Sequence, residues 1–238
     1  MESKIKRLIK LTNHPVAVIQ ADELPEKVLQ FKVEKWGCVI AMLAAAANGK
    51  IAAFSEETAT CVGGRAGLGF AKYPLGWIEY FLSCGNPTVE RCEHYKMTPE
   101  LARDFIINVP NALIDKLPPR KKYLLFKPLE DVREDEFPEV IIFLVNANQL
   151  SGLVTLANYD SATNDAVKIL FGAGCAQSIL YPMTDKNFCY VGLTDPSARK
   201  FIDKNLISFA ASYERFLKLE GFAEESFLTH ETWEKILR

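Results

Sequence analysis

Residues 140–145, V-I-I-F-L-V, form a continuous apolar run in which four of the six residues are β-branched. This length and composition are typical of a strand that is buried on both faces of a sheet. Residues 148–159 after it have a helical pattern, and residues 123–126 before it form a second short apolar run. Together these stretches predict a mixed sheet flanked by helices, of the α+β or α/β class.

Further elements extend this pattern along the chain. Short apolar runs between turn residues predict additional strands at residues 16–19, 50–54, 167–171 and 188–193. Apolar spacing, good helix formers and capping residues predict helices at residues 2–11, 34–47, 75–82, 98–107, 196–199, 208–219 and 230–237. Ser55-Glu56-Glu57-Thr58 has the composition of a helix start. The three tryptophans, Trp36, Trp77 and Trp233, are expected in the core or in an interface.

The composition excludes several classes of protein. The chain has 238 residues, with 28 Lys and Arg against 30 Asp and Glu, so its net charge of −2 argues against nucleic acid as a partner. The apolar run at residues 38–47 is too short to cross a membrane, and the N-terminal residues do not resemble an export signal. With six cysteines and no such signal, we expect a cytoplasmic protein with free thiols that binds a small molecule and forms a possible homo-oligomer.

The order of helix, short strand and cysteine-bearing turn occurs twice. The first copy leads to Cys61 and the second to Cys175. This repetition predicts two related α/β halves, residues 1–118 and 119–238, which share one core and arose by internal duplication. A chance resemblance is the alternative, because this order is common among α/β proteins. If the duplication is real, both cysteines can face one cleft between the halves.

The stretch Thr60-Cys61-Val-Gly-Gly-Arg65-Ala-Gly67 contains the strongest local chemistry. Backbone amides at a helix start favour a thiolate and can hold a carboxylate or phosphate. Cys61, Gly63, Gly64 and Arg65 are therefore candidate ligand-binding residues, and Cys61 is also a candidate catalytic thiol. The alternative is a close helix contact that needs glycine, with a buried and inert thiol.

A second turn, Gly172-Ala173-Gly174-Cys175, also places a thiol beside exposed backbone. Gly174 and Cys175 are candidate ligand-binding residues, and Cys61 with Cys175 are tentative ligands of a metal or iron–sulfur centre. The chain has no Cys-x-x-Cys motif, so the cofactor remains open. Asp195 and Arg199, at the start of a helix after a strand, are further candidates, although Asp195 is also explained as a helix cap.

These motifs resemble a known family. Gly37-Cys38 before an alanine-rich helix, Thr60-Cys61-Val-Gly-Gly, Gly174-Cys175 and residues 192–199 are similar to the uncharacterised ArCR family, a domain-of-unknown-function family. The resemblance covers most of the chain and implies no specific reaction. Cys61 and Cys175 are the cysteines that fit the family pattern.

Three functions follow as hypotheses from the residues. The first is a protein that binds a small anionic ligand or a metal-containing cofactor at the Cys61 and Cys175 turns. The second is a thiol-dependent enzyme or redox protein with Cys61 as the reactive group. The third is a non-catalytic scaffold or oligomerisation module in which the glycines and thiols only pack.

Overall fold

The computed structural model describes residues 1–237 and confirms the predicted mixed sheet with helices. The seven strands are β1 Val16–Ala21, β2 Ala52–Phe54, β3 Tyr123–Pro128, β4 Pro138–Val145, β5 Val167–Ile169, β6 Cys189–Gly192 and β7 Ile207–Ser212. Their order in the sheet is β2-β3-β1-β4-β7-β6-β5. Neighbouring strands are antiparallel, except that β5 runs parallel to β6.

The apolar run at residues 140–145 forms most of β4, at the centre of the sheet. Ile141 and Phe143 face an apolar cluster on one side of the sheet. Ile142 and Leu144 face a second cluster on the other side. Burial of both faces explains why this strand has no alternation of polar and apolar residues.

Helices cover both faces of the sheet. Those that contribute to the first cluster are α1 Lys4–Leu8, α7 Ala147–Ala157, α10 Tyr213–Phe222 and α11 Glu231–Ile236. The second cluster is covered by α2 Val39–Ala47, a π-helix at Ala176–Leu180, α8 Tyr181–Thr184 and α9 Pro196–Arg199. A smaller apolar cluster joins α3 Val62–Gly67 to α4 Ile78–Leu82 and α5 Pro99–Ile106. A second π-helix, Ile107–Asn111, and α6 Ala112–Ile114 follow α5.

The predicted helix over residues 208–219 is wrong, because its first half is strand β7 and only its second half belongs to α10. Phe209 and Ala211 face one cluster, whereas Ala210 faces the other, which is the alternation of a strand. Ser208 bonds to Ser178 of the π-helix at 2.7 Å, so this helix lies close to the sheet and requires small residues there. Those small residues give the strand the composition of a helix.

Other predictions need smaller corrections. The helix predicted from residue 34 begins at Val39. Residues 55–58 are a hydrogen-bonded turn and not a helix start, because the Ser55 amide donates to Thr58 Oγ1 at 2.8 Å. Trp233 lies in the core, whereas Trp36 and Trp77 are exposed, so for these two an interface stays a prediction. Within residues 1–237, no helix combines the length and apolar character that a membrane span requires.

The predicted halves share the sheet, since β1 of residues 1–118 lies between β3 and β4 of residues 119–238. The internal duplication itself stays a prediction.

Candidate functional site

Three cysteines from distant parts of the chain stand at the starts of helical segments. Cys38 is the N-cap of α2, Cys61 is the N-cap of α3, and Cys175 directly precedes the π-helix Ala176–Leu180. The first amides of a helix have no carbonyl partner within it, and they form the positive end of the helix dipole. Each thiol therefore lies beside the first amides of a helical segment.

Glycines bring α3 into direct contact with the Cys175 turn. A methyl group on Gly67 would lie 2.5 Å from Cys175 Cβ and 2.8 Å from the Ala176 amide nitrogen, so only glycine permits this approach. A methyl group on Gly63 would lie 3.6 Å from Ala173 Cβ, which is an ordinary contact. The two cysteine turns predicted from the sequence thus meet in space, more than a hundred residues apart along the chain.

Thr60 connects the start of α3 to the segment that leads into α2. Its hydroxyl accepts a hydrogen bond from the Gly37 amide at 3.1 Å and donates one to the Lys35 carbonyl at 2.9 Å. Gly64 completes this junction, since a methyl group there would lie 2.6 Å from Val39 Cγ2. Cys38 is thereby held next to Cys61.

Burial determines the state of two of the three thiols. It raises the pKa of Cys175 well above the usual value, and Cys61, Cys38 and Asp195 add to this shift. Burial also raises the pKa of Cys38, against the opposing effect of the Ile40 and Ala41 amides. Both groups are therefore neutral thiols at pH 7. Cys61 is half-buried, so it is the member of the cluster that solvent reaches.

Tyr73 completes the cluster, although nothing in its sequence context identifies it. Its backbone is fixed by Asn111 in the π-helix Ile107–Asn111: the Tyr73 amide donates to Asn111 Oδ1 at 2.8 Å, and Asn111 Nδ2 donates to the Tyr73 carbonyl at 3.2 Å. The side chain is only 8% exposed. Its hydroxyl lies 3.8 Å from where a methyl group on Gly63 would be, between α3 and the Cys175 turn. Within residues 1–237 this hydroxyl makes no hydrogen bond, and it is not one of the fully enclosed atoms that lack a partner, so the small exposed part of Tyr73 lets it reach solvent.

Burial raises the pKa of Tyr73 well above the usual value, and nearby Cys175, Tyr181, Cys61 and Asp195 raise it further. The phenol is therefore protonated at neutral pH and is a hydrogen-bond donor without an acceptor. Because the hydroxyl reaches solvent, a small molecule can accept its hydrogen bond.

Asp195 is the carboxylate of the site, and its hydrogen bonds are largely occupied. It caps α9 by accepting from the Ser197 amide at 3.0 Å. It also accepts from the Gly174 amide at 3.3 Å and from the Tyr95 hydroxyl at 3.2 Å. Asp195 thus fixes the Cys175 turn to α9, as a positioning residue.

The two predicted arginines bind loop carbonyls. Arg65 Nε lies 3.4 Å from the Ala59 carbonyl oxygen. Arg199 donates to the carbonyls of Leu206 and Lys204, and it lines a surface groove of about 490 Å³ that the three cysteines do not line. Neither guanidinium contacts the thiols through a hydrogen bond.

Within the part of the chain described, residues 1–237, no group of three or more His, Cys, Asp or Glu side chains is arranged to hold a metal ion. Cys84, Cys92 and His94 lie in one loop, where Cys92 Sγ is 3.4 Å from His94 Nε2. Cys189 is buried in β6 near Arg215, away from the cluster, and burial raises its pKa to about 12.

The comparisons with known proteins identify a family. No curated protein and no solved structure matches the chain significantly. The family model described as Uncharacterised ArCR matches residues 4–221, a range that includes every residue of the cluster. The chain therefore belongs to the uncharacterised ArCR family, as the Gly37-Cys38, Cys61 and Cys175 motifs predict.

Proposed function

We propose that the protein binds a small anionic ligand between α3 and the Cys175 turn. The Tyr73 hydroxyl is the single observation that carries this proposal. It is a protonated donor that no group within residues 1–237 accepts, it reaches solvent, and it lies next to Gly63 at the start of α3. A ligand oxygen would satisfy the hydroxyl and the first amides of α3 together.

The electrostatic surroundings favour a negative charge on that ligand. Of the three helix starts, that of α3 offers the free amides, because the Ile40 and Ala41 amides bond to the Cys38 thiol and the Gly174 amide donates to Asp195. The oxygens of Asp195, the nearby carboxylate, already accept hydrogen bonds from Gly174, Ser197 and Tyr95. Two of the thiols are uncharged at pH 7, so they oppose an anion little.

A metal-containing cofactor, held by Cys61 and Cys175, is the less favoured form of this proposal. Metal ligation requires thiolates, so a metal would have to displace the proton that burial favours on Cys175. The absence of a three-ligand group within residues 1–237 points in the same direction. Iron and zinc analysis of anaerobically purified protein tests this form, with a Cys61→Ser/Cys175→Ala variant as the control.

Thiol chemistry at Cys61 is the second candidate. The favouring observation is that Cys61 is half-buried beside a neutral Tyr73 hydroxyl, which can donate to a developing oxyanion. The same cluster would then act on its ligand. The scaffold hypothesis has no comparable support from these contacts. A cytoplasmic location and a homo-oligomer stay predictions, and six free thiols are compatible with the reducing cytoplasm.

Alkylation of Cys61 tests the proposal with two reagents of similar size. Iodoacetate carries a negative charge and iodoacetamide does not, and mass spectrometry assigns the modified residue. Exposed Cys84 is the internal reference. We expect the iodoacetate-to-iodoacetamide rate ratio at Cys61 to exceed that at Cys84 about fivefold, the equivalent of roughly 1 kcal/mol of anion stabilisation. Inorganic phosphate should reduce this preference.

A glycine pair supplies the matched variants. Gly63→Ala adds a methyl group beside the Tyr73 hydroxyl at ordinary contact distances, so it should fold and lose the preference for iodoacetate. Gly221→Ala in α10 meets nothing within 4 Å and should keep it. Equal ratios at Cys61 and Cys84 would contradict the proposal. Faster reaction of Cys61 than of Cys84 with neutral iodoacetamide would favour the thiol enzyme.

A further inference from the structure

Trp36 is an exposed aromatic residue at the edge of the cysteine cluster. Its side chain is 62% exposed, although it lies two residues before the buried N-cap Cys38. An indole offers a flat apolar face on which another aromatic ring can stack. Trp77, which is also exposed, stacks on Phe81 at 5.1 Å between ring centroids and has no hydrogen-bonded link to the cluster.

The backbone on both sides of Trp36 is fixed. Thr60 bonds to the carbonyl of Lys35 and to the amide of Gly37, the two residues that flank Trp36. Gly37 also packs against Phe31, since a methyl group on Gly37 would lie 2.5 Å from that ring. The backbone that carries the indole is therefore held close to Thr60, which Cys61 follows directly.

Phe201 and Lys200 contact Trp36 from the end of α9. The Phe201 ring lies 6.2 Å from the Trp36 ring at an angle of 42°, and Lys200 Nζ is 6.0 Å from the Trp36 ring and 5.1 Å from the Phe201 ring. The start of the same helix is the Asp195 cap that binds the Gly174 amide. Both segments that carry the aromatic pair thus lead directly into the proposed anion site.

We infer that the ligand of this site is an aromatic anion, with a flat ring that stacks on Trp36 and a negative group that binds on the Tyr73 side. This inference rests on the proposed function and adds the class of ligand. The ring satisfies the exposed indole, and Lys200 supplies a positive charge above the aromatic pair. Neither an inorganic anion nor an aliphatic one makes use of Trp36.

Protection of Cys61 from iodoacetamide by three phosphates tests the inference. The probes are inorganic phosphate, cyclohexyl phosphate and phenyl phosphate, which share the anionic group and differ in the attached ring. We expect phenyl phosphate to protect at a concentration about tenfold below that of the other two. Trp36→Ala should remove this advantage and leave protection by inorganic phosphate unchanged. Trp36→Phe should restore part of it, and Trp77→Ala is the control that should keep all of it.

The outcomes separate the two proposals. If no phosphate protects Cys61, the anion site fails, and the inference fails with it. If all three protect equally, or if phenyl and cyclohexyl phosphate protect equally, the anion site stands and the aromatic ligand class is overturned. An advantage of phenyl phosphate that survives in Trp36→Ala also overturns the assignment to Trp36.

Discussion

The contact of α3 with the Cys175 turn predicts opposite effects for two alanine substitutions in one short helix. Gly67→Ala places a methyl group 2.5 Å from Cys175 Cβ and 2.8 Å from the Ala176 amide nitrogen. Carbon atoms pack at about 3.5–4.0 Å, so α3 must move by roughly 1 Å or the turn must open. Gly63→Ala makes only ordinary contacts, at 3.6 Å and 3.8 Å.

The energies follow from two competing terms. Alanine in place of glycine stabilises a helix by up to about 1 kcal/mol. Overpacking costs about 1–3 kcal/mol, and the upper end applies to Gly67 because the obstacle includes backbone. We therefore expect Gly67→Ala to lower the free energy of unfolding by about 2 kcal/mol and Gly63→Ala to leave it unchanged or raised by up to about 1 kcal/mol.

Urea unfolding, followed by circular dichroism under reducing conditions, measures this difference. Gly221→Ala reports the gain from helix propensity alone, because nothing lies within 4 Å of its new methyl group. Alkylation gives a second measurement: Cys175, which is 5% exposed, should become reactive in Gly67→Ala only. Equal stability of the Gly67 and Gly63 variants, within about 0.5 kcal/mol, would refute the contact between α3 and the turn.

Three further predictions concern single groups. Tyr73→Phe removes a hydroxyl that has no partner within residues 1–237, so the ligand-free protein should melt at the same or a higher temperature, and phosphate should no longer protect Cys61 from alkylation. A lower melting temperature would mean that the hydroxyl is satisfied inside the fold. Asp160→Asn should cost about 3 kcal/mol in urea unfolding, because it leaves the buried Arg215 guanidinium without its bidentate partner at 2.6 Å and 2.7 Å; a cost below about 1 kcal/mol would contradict this. The Arg215 hydrogen bond lowers the pKa of Asp160 below its usual 3.8, so the stability from this pair is complete above that pH and is lost as the pH falls through the folded pKa. Burial raises the pKa of Glu220 above 4.5, against the hydrogen bond from Ser3, so this carboxyl destabilises the fold as the pH rises from 4.5 through its folded pKa. Glu220→Gln should flatten the plot of unfolding free energy against pH in that range. An unchanged slope would exclude Glu220 as its source.

Local patterns in the sequence predict much of this fold. The apolar run at residues 140–145 identifies the central strand, because a strand buried on both faces needs no polar residue. The small residues of β7 mislead, since Ser208 and Ala210 are dictated by the π-helix that packs against them. The distance between a helix and a sheet is a tertiary property, and no local pattern states it.

In the candidate site, too, local patterns identify some residues, and tertiary contacts alone place the others. Glycines beside Cys61 and Cys175 mark the two turns in the sequence, since close backbone approach requires glycine. Tyr73 has no such signal, because its place in the cluster depends on Asn111, 38 residues away in the chain. The sequence predicts Trp36 in the core or in an interface, and only the structure shows that it lies outside the core.

The π-helix that carries Asn111 has a consequence for how this family can vary. Asn111 reaches Tyr73 only because the wider turns of Ile107–Asn111 set its direction around the helix axis. Gain or loss of one residue between Pro99 and Asn111 rotates everything downstream by about 100°, which would carry the Asn111 amide away from Tyr73. Substitutions at the exposed positions of this segment, such as Glu100 and Asp104, are therefore tolerable where changes of length are not.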